Sequence, residues 1–340
     1  IDAVEQTGIR TYSNLHLGRT RMDFENFWYA FDHRYTTRTG IGLGDHLIVR
    51  AFLWQIRRAS LIVTCSDTVG LPALRIRQKK ALTNPLLYVS IGLPEKIQKV
   101  SRRNPQRADR YRQLLQTATA VVAYGWEETQ WLKDWLGSDT SVHFIPFGVD
   151  TAIYNSEASN CSETESDVLA VGADPLRDFG LLLETAKALP GVSFHFIASS
   201  TLRSVFSTIP MNVRISYDLP RKTVMEAMAG CKVVALPVKE NTYSGATTTL
   251  LQAMAMNKAV MVSRTGAIRD GYGLEDRNNC LLLPPGDNAG WTTLLPELLN
   301  DQDLRTRIGL QAGKHVRTHL NWEATASRIR ELIEQYRNPS

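Results

Sequence analysis

The chain has 340 residues, 43% of them hydrophobic and 21% charged, with a formal net charge of +5. That length fits about two domains, and that composition excludes wholesale disorder. Cys65, Cys161, Cys231 and Cys280 form no Cys-x-x-Cys pair, which argues against a disulfide scaffold or zinc ribbon and for a reducing compartment.

In chain order, the first half predicts strands at Ser60–Cys65, Leu86–Ser90, Ala120–Ala123 and His143–Ile145. Each is short, rich in β-formers and bounded by polar, Gly or Pro residues. Helical periodicity predicts helices at 47–58, 69–80, 106–117 and 127–136. The second half predicts strands at Val168–Val171, Ser193–Ile197, Val213–Ser216, Val233–Leu236, Ala259–Val262 and Cys280–Leu283. Its helices are expected at about 179–188, 220–229, 246–256, 288–299, 302–317 and 322–336. Strand–helix alternation this regular implies α/β domains, with parallel sheets covered by helices on both faces. The strands outnumber one six-stranded sheet, so two doubly wound Rossmann-like domains are expected. The division predicted is 1–148 for the first domain, 149–320 for the second, and 321–340 for a last helix and tail. Asn155–Asp167 reads as a polar linker.

The first domain looks one strand short. Gly40, Gly42 and Gly44 cluster after no convincing strand and read as a plain loop. No apolar run reaches the ~18 residues of a membrane span. No signal-peptide pattern opens the chain, and its start at Ile1 rather than Met allows for a missing upstream piece. Residues 1–150 carry a net charge of +6 and the remainder −1. The excess is densest at Lys96, Lys99, Arg102, Arg103, Arg107, Arg110 and Arg112. A solvated helix face explains it. So does a surface that meets anionic lipid headgroups or phosphorylated acceptors. Nucleic acid is not expected, because the aromatics do not alternate with the basic residues as stacking requires.

Chemistry concentrates in Leu236–Arg264, where a buried strand ends at Pro237 and Ser244-Gly245 introduces a new helix. The first N–H groups of a helix lack internal partners and carry the positive end of its dipole. Gly245 permits close backbone approach, Ala246 follows it, and Thr247 and Thr248 add hydroxyls. A diphosphate suits such a site. Ordinary capping by Ser244 explains the same residues.

Four segments in order resemble the retaining glycosyltransferases of family 4. They are Ser141–Tyr154 (SVHFIPFGVDTAIY), Val168–Lys187 (VLAVGADPLRDFGLLLETAK), Ser244–Val262 and Leu274–Asp287 (LEDRNNCLLLPPGD). Asn321-Trp322-Glu323 resembles the start of the family's last helix. The resemblance covers about residues 120–336. It implies the GT-B architecture: two Rossmann-like domains facing across a cleft, with the C-terminal helix crossing back to the first. It also implies sugar transfer from a nucleoside-diphosphate donor, with retention of configuration and with neither cofactor nor metal. The acceptor would be a glycan, a lipid-linked molecule or a small molecule. The setting would be cytoplasmic or peripheral at the inner membrane face, as in polysaccharide or glycolipid synthesis.

Carried over residue by residue, the resemblance puts Arg177 at the family's phosphate-binding Lys, after Gly172. Lys239 lies close to the donor loop. Gln252 replaces the Glu that holds the ribose, and Ser244 replaces the Glu that faces the donor sugar. Ala173 stands where the family often has a second phosphate-binding Arg. In the first domain the strand end Ser90-Ile91-Gly92 lacks the family's His, and Asp67 is the candidate for orienting an acceptor hydroxyl, or else caps a helix. His143 and His195 sit on strand patterns and read as structural. The departures at Ala173, Ser244 and Gln252 motivate a rival: a weak or inactive module that binds nucleotide-sugar or glycan. A nucleotide-sugar epimerase ranks lower, since no acid–base set assembles at the strand ends.

Overall fold

The computed structural model describes residues 46–155, 166–243 and 245–337. The glycine cluster at 40–44, His16, His33, Ser244 and most of the expected linker lie outside the described residues. The chain divides into two compact units, one running to Ile145 and resuming at Ala326, the other Pro146–Thr325.

Among its described residues the first unit begins with α1 (His46–Ala51) and α2 (Leu53–Ile56), where the periodicity predicts one helix. The chain breaks between them at Phe52, whose backbone leaves the helical region. There follow β1 (Ile62–Thr64), α3 (Asp67–Gln78), β2 (Leu86–Ser90), α4 (Leu93–Arg103) and α5 (Pro105–Leu115). β3 (Ala120–Ala123), α6 (Trp126–Leu136) and β4 (Ser141–Phe144) come next. Helix α4 is absent from the predicted elements. Gly92, in the left-handed region at φ 71°, turns the chain into it, and Pro94 sits in its first turn, where a missing N–H costs nothing. Asn104 then ends α4 and caps α5, accepting from the Arg107 N–H. β4 starts two residues earlier than expected and stops at Phe144. The four described strands are parallel and in sequence order. β2 and β3 are buried throughout, as central strands of a covered parallel sheet must be.

The second unit carries β5 (Ser166–Gly172), α7 (Phe179–Ala188), β6 (Phe194–Ala198), β7 (Val213–Tyr217), α8 (Arg221–Gly230) and β8 (Cys231–Leu236). α9 (Thr247–Ala255), β9 (Ala259–Ser263), β10 (Leu281–Leu283), α10 (Asn288–Asn300) and α11 (Gln302–His319) follow. The sheet order is β10-β9-β8-β5-β6-β7, with every pair parallel. The chain winds outward from β5 to β7, then returns to pair β8 against the other side of β5. The carboxyl ends of β5 and β8 therefore flank the topological switch point, where open α/β sheets bind ligands. Its core packs Phe179, Phe194 and Phe196 on one part and Trp291, Leu295 and Ile308 on another. The last helix, α12 (Trp322–Arg337), begins in this unit, where the Trp322 indole donates to the Gly148 carbonyl at 3.0 Å. It ends in the first unit, where Leu332 and Ile333 pack with Leu87, Val89, Val122 and Ile145.

Candidate donor site at the switch point

β5 ends at Gly172, and the next turn brings Arg177 back over that end. Asp174 makes the turn, its Oδ1 accepting from the Leu176 N–H at 2.7 Å and its carbonyl from the Arg177 N–H at 3.0 Å. The segment then runs antiparallel to the chain leaving β8. Asp178 N–H donates to the Pro237 carbonyl and Lys239 N–H to the Leu176 carbonyl, each at 2.9 Å. A Cβ on Gly172 would collide with Nε, Cγ and Cδ of Arg177. Glycine there is thus what lets the arginine stem lie against the strand. Ala170, Val171, Phe179, Ala235, Leu236 and Pro237 line the space around that stem.

The Arg177 guanidinium is buried, with 7% of the residue exposed. Nη2 donates to Thr249 Oγ1 at 3.0 Å, in the first turn of α9. Nε and Nη1 are buried with no hydrogen-bond partner. Burial pulls its pKa down to about 10, against the opposing pull of Asp174 and Tyr243. Two more such atoms lie on the adjoining loop and helix: Asn241 Oδ1 and Thr247 Oγ1, in residues 5% and 1% exposed. Among the described residues of the second unit, only Trp291 Nε1 joins these four as a buried side-chain nitrogen or oxygen lacking a partner. Buried polar atoms are nearly always paired, so unpaired ones on the turn after β5 and on the loop and helix after β8 mark a candidate place for a polar ligand.

Helix α9 has Ala246 at its N-cap, and an alanine side chain has no atom to cap it with. The alternative in which Ser244 caps this helix falls on a residue outside the described ones. Gly245 precedes Ala246, and a Cβ there would stand 3.0 Å from both Asp174 Oδ2 and Tyr243 Cε2. Among the other predicted donor residues, Lys239 and Thr248 have exposed side chains and Gln252 is half-buried one turn along α9. Ala173 is exposed. Thr249 and Asn241 escaped the sequence reading. Three consecutive threonines look alike until the helix phase selects one, and an Asn in a polar loop carries no burial signal.

In the first unit Asp67 opens α3 behind an N-cap at Ser66 and makes no cap itself. Its Oδ1 accepts from the Tyr88 hydroxyl and its Oδ2 from Lys96 Nζ at 3.0 Å. Both oxygens are thus engaged within the unit, which corrects the helix-cap alternative. The carboxyl end of β2 is held instead by Glu128 of α6, whose Oε1 accepts from Ser90 Oγ at 2.6 Å and from the Gly92 N–H at 3.0 Å. Sequence reasoning missed it, although Glu128 shares its helix face with buried Leu132 and Leu136 at four-residue steps. His143 bonds the Tyr336 hydroxyl at 2.7 Å, and His195 lies between Ser216 Oγ and Arg214. Among the described residues no group of three or more His, Cys, Asp or Glu is placed to hold a metal ion, and no helix is long and apolar enough to cross a membrane.

Residues 168–301, all within the second unit, match the family model described as Glycosyl transferases group 1. The MMP alpha-(1->4)-mannosyltransferase of Mycolicibacterium hassiacum is 23% identical over 266 residues, 74% of this chain and 59% of that protein. The D-inositol 3-phosphate glycosyltransferase of Corynebacterium efficiens is 23% identical over 48% of this chain and 36% of its own length. The chain thus spans between about a third and three fifths of these curated relatives. Among solved structures, sucrose-phosphate synthase from Thermosynechococcus elongatus superposes with a TM-score of 0.69 at 17% identity, over 85% of this chain and 77% of that one. Anabaena HepE in complex with UDP superposes at 0.67 and 16% identity, over 84% and 82%. These likenesses establish the fold, two parallel-sheet α/β domains of the GT-B type.

Proposed function

We propose, from the match of residues 168–301 to the glycosyl transferases group 1 model, that the protein is a glycosyltransferase. It moves a sugar from a nucleoside-diphosphate-sugar to an acceptor hydroxyl and keeps the anomeric configuration. One observation carries the reading: the buried Arg177 guanidinium, with Nε and Nη1 lacking partners, is bonded to the first turn of α9 at the switch point. Guanidinium and helix end together suit a diphosphate, which takes charge-assisted bonds from both. HepE, a neighbour in fold, is known with UDP and with UDP-glucose, which supports a donor of this class.

In the reaction proposed, the bond between the sugar's anomeric carbon and the phosphate oxygen breaks as a bond to the acceptor oxygen forms. The acceptor proton passes to the departing phosphate oxygen on the same face, so configuration is retained. Arg177 and the N–H groups of α9 stabilise negative charge growing on the diphosphate. Groups already fixed in place for that charge lower the barrier without reorganising. Gln252 is assigned to the ribose, its amide able to donate and accept. Lys239, exposed beside the loop, adds positive charge near the phosphates. Asp67 is kept as the group that orients the acceptor hydroxyl. The exposed basic side chains Lys99, Arg102 and Arg103 of α4 and Arg112 of α5 suit a lipid-linked or otherwise anionic acceptor.

The test is a thermal-shift screen against UDP, GDP, ADP and their sugars, followed by product analysis with the donor that binds. A ligand that binds the native state alone raises the melting temperature in proportion to its affinity. Transfer that yields the donor's own anomer, and that Arg177→Ala lowers about 10²–10³-fold, supports the proposal. Near-normal transfer by that variant removes Arg177 from the mechanism. A second reading, a binding module without turnover, rests on Ala173 and on the carboxylate of Asp174 beside Gly245. Donor binding with neither transfer nor donor hydrolysis across an acceptor panel decides for it.

A further inference from the structure

We infer that Asp174 and Tyr243 form an anionic latch beside the donor seat, and that displacing it sets how tightly this protein holds a nucleoside diphosphate. The inference rests on the donor-site reading above and goes beyond it. The Tyr243 hydroxyl donates to Asp174 Oδ2 at 2.7 Å, and the Leu176 N–H donates to Oδ1 at 2.7 Å. Both carboxylate oxygens are thereby fixed, and the side chain cannot swing freely. A Cβ at Gly245 would come within 3.0 Å of that Oδ2 and of the tyrosine ring, so the pair is packed on the backbone two residues ahead of Thr247. The chain thus holds its own negative charge on the approach to the amino end of α9, whose N-cap is Ala246.

The same carboxylate acts on Arg177 through space, yet Nε and Nη1 of that arginine take no bond from it. Asp174 therefore leaves the guanidinium's open N–H groups available while crowding the position an anion takes against Gly245. A like charge about 5 Å from a phosphate, half-exposed and in salt, lowers affinity by on the order of tenfold. The latch belongs to this chain's own residues. Asp174 follows Ala173 on the turn after β5, and Tyr243 lies on the loop before α9.

Asp174→Asn keeps Oδ1 as acceptor for Leu176 and removes only the charge. Tyr243→Phe keeps the ring against Gly245 and removes only the hydroxyl. Titration calorimetry with UDP, GDP and ADP at two salt concentrations reads the effect. The expected result is about tenfold tighter binding of the preferred diphosphate by D174N, with the gain shrinking at high salt. Y243F gains severalfold, by freeing the carboxylate to swing off the approach, and the double variant gains no more than D174N, because the tyrosine acts only by holding that charge in place. Unchanged or weaker binding by D174N, while the wild type binds in an Arg177-dependent way, overturns the latch and makes Asp174 a residue that orients Arg177. Absence of diphosphate binding in wild type and variants alike sinks the donor-site reading, and the latch with it.

Discussion

Glu128→Gln tests whether the first unit carries a carboxyl group that is neutral in its folded form. Glu128 is 1% exposed, and its Oε2 is buried without a partner. Burial, then the neighbouring Glu95, pushes its pKa from the ordinary 4.5 up to about 7, although the bonds from Ser90, Gly92 and Leu93 pull the other way. In the unfolded chain the proton leaves near the ordinary value. Between the two values the folded form holds a proton that the unfolded form lacks. The stability Glu128 contributes is therefore fully present below the unfolded pKa and is lost as pH rises through about 7. At about 1.4 kcal/mol per pH unit, that separation is worth about 3 kcal/mol, of which about 2.5 falls between pH 5 and 8.5. Glutamine keeps the shape and an acceptor for Ser90 and Gly92, and does not titrate.

The assay is chemical denaturation of wild type and E128Q across that pH range, followed by tryptophan fluorescence. Among the described residues Trp54, Trp126, Trp131 and Trp135 lie in the first unit, so four of the chain's seven tryptophans report it. Wild type should lose about 2–3 kcal/mol relative to E128Q from pH 5 to 8.5. A difference constant within about 0.5 kcal/mol, or one that grows in favour of wild type with pH, refutes the reasoning.

Gly245→Val should abolish diphosphate binding, since any branched side chain there meets Asp174 Oδ2 and the Tyr243 ring at contact distance or closer; unchanged affinity in calorimetry argues against the loop assignment. Thr249→Val removes the partner of Arg177 Nη2 and should weaken donor binding by about 1 kcal/mol, roughly fivefold, read in the same titration. Arg177→Lys should recover only part of the transfer lost in Arg177→Ala, because an ammonium lacks the planar fork that serves Thr249 and a phosphate together, as steady-state rates would show. Gly309→Ala should destabilise the second unit by about 1–3 kcal/mol, since its Cβ would collide with the main-chain oxygen of Asn257; unfolding midpoints would show it.

Much of this molecule is legible from its residues alone. Leu86–Ser90, Ala120–Ala123 and Ala259–Ser263 are apolar runs too short for helices and bounded by turn residues, so burial leaves them no other form than central parallel strands. The position of Arg177 after Gly172 pointed to a phosphate grip through family resemblance. Tertiary packing decided the rest. Helix α4 depends on one left-handed glycine, a choice that hydrophobic periodicity does not register. Thr249 was selected from three threonines by the phase of α9 toward Arg177. Asp174 meets Tyr243, and Glu128 meets Ser90, across 69 and 38 residues of chain. Local sequence determines which segments become strands and helices, because propensity and periodicity act over a few residues. Which charges end up buried or face to face is settled only when distant segments pack, since desolvation and Coulomb energies depend on neighbours that the linear order does not name.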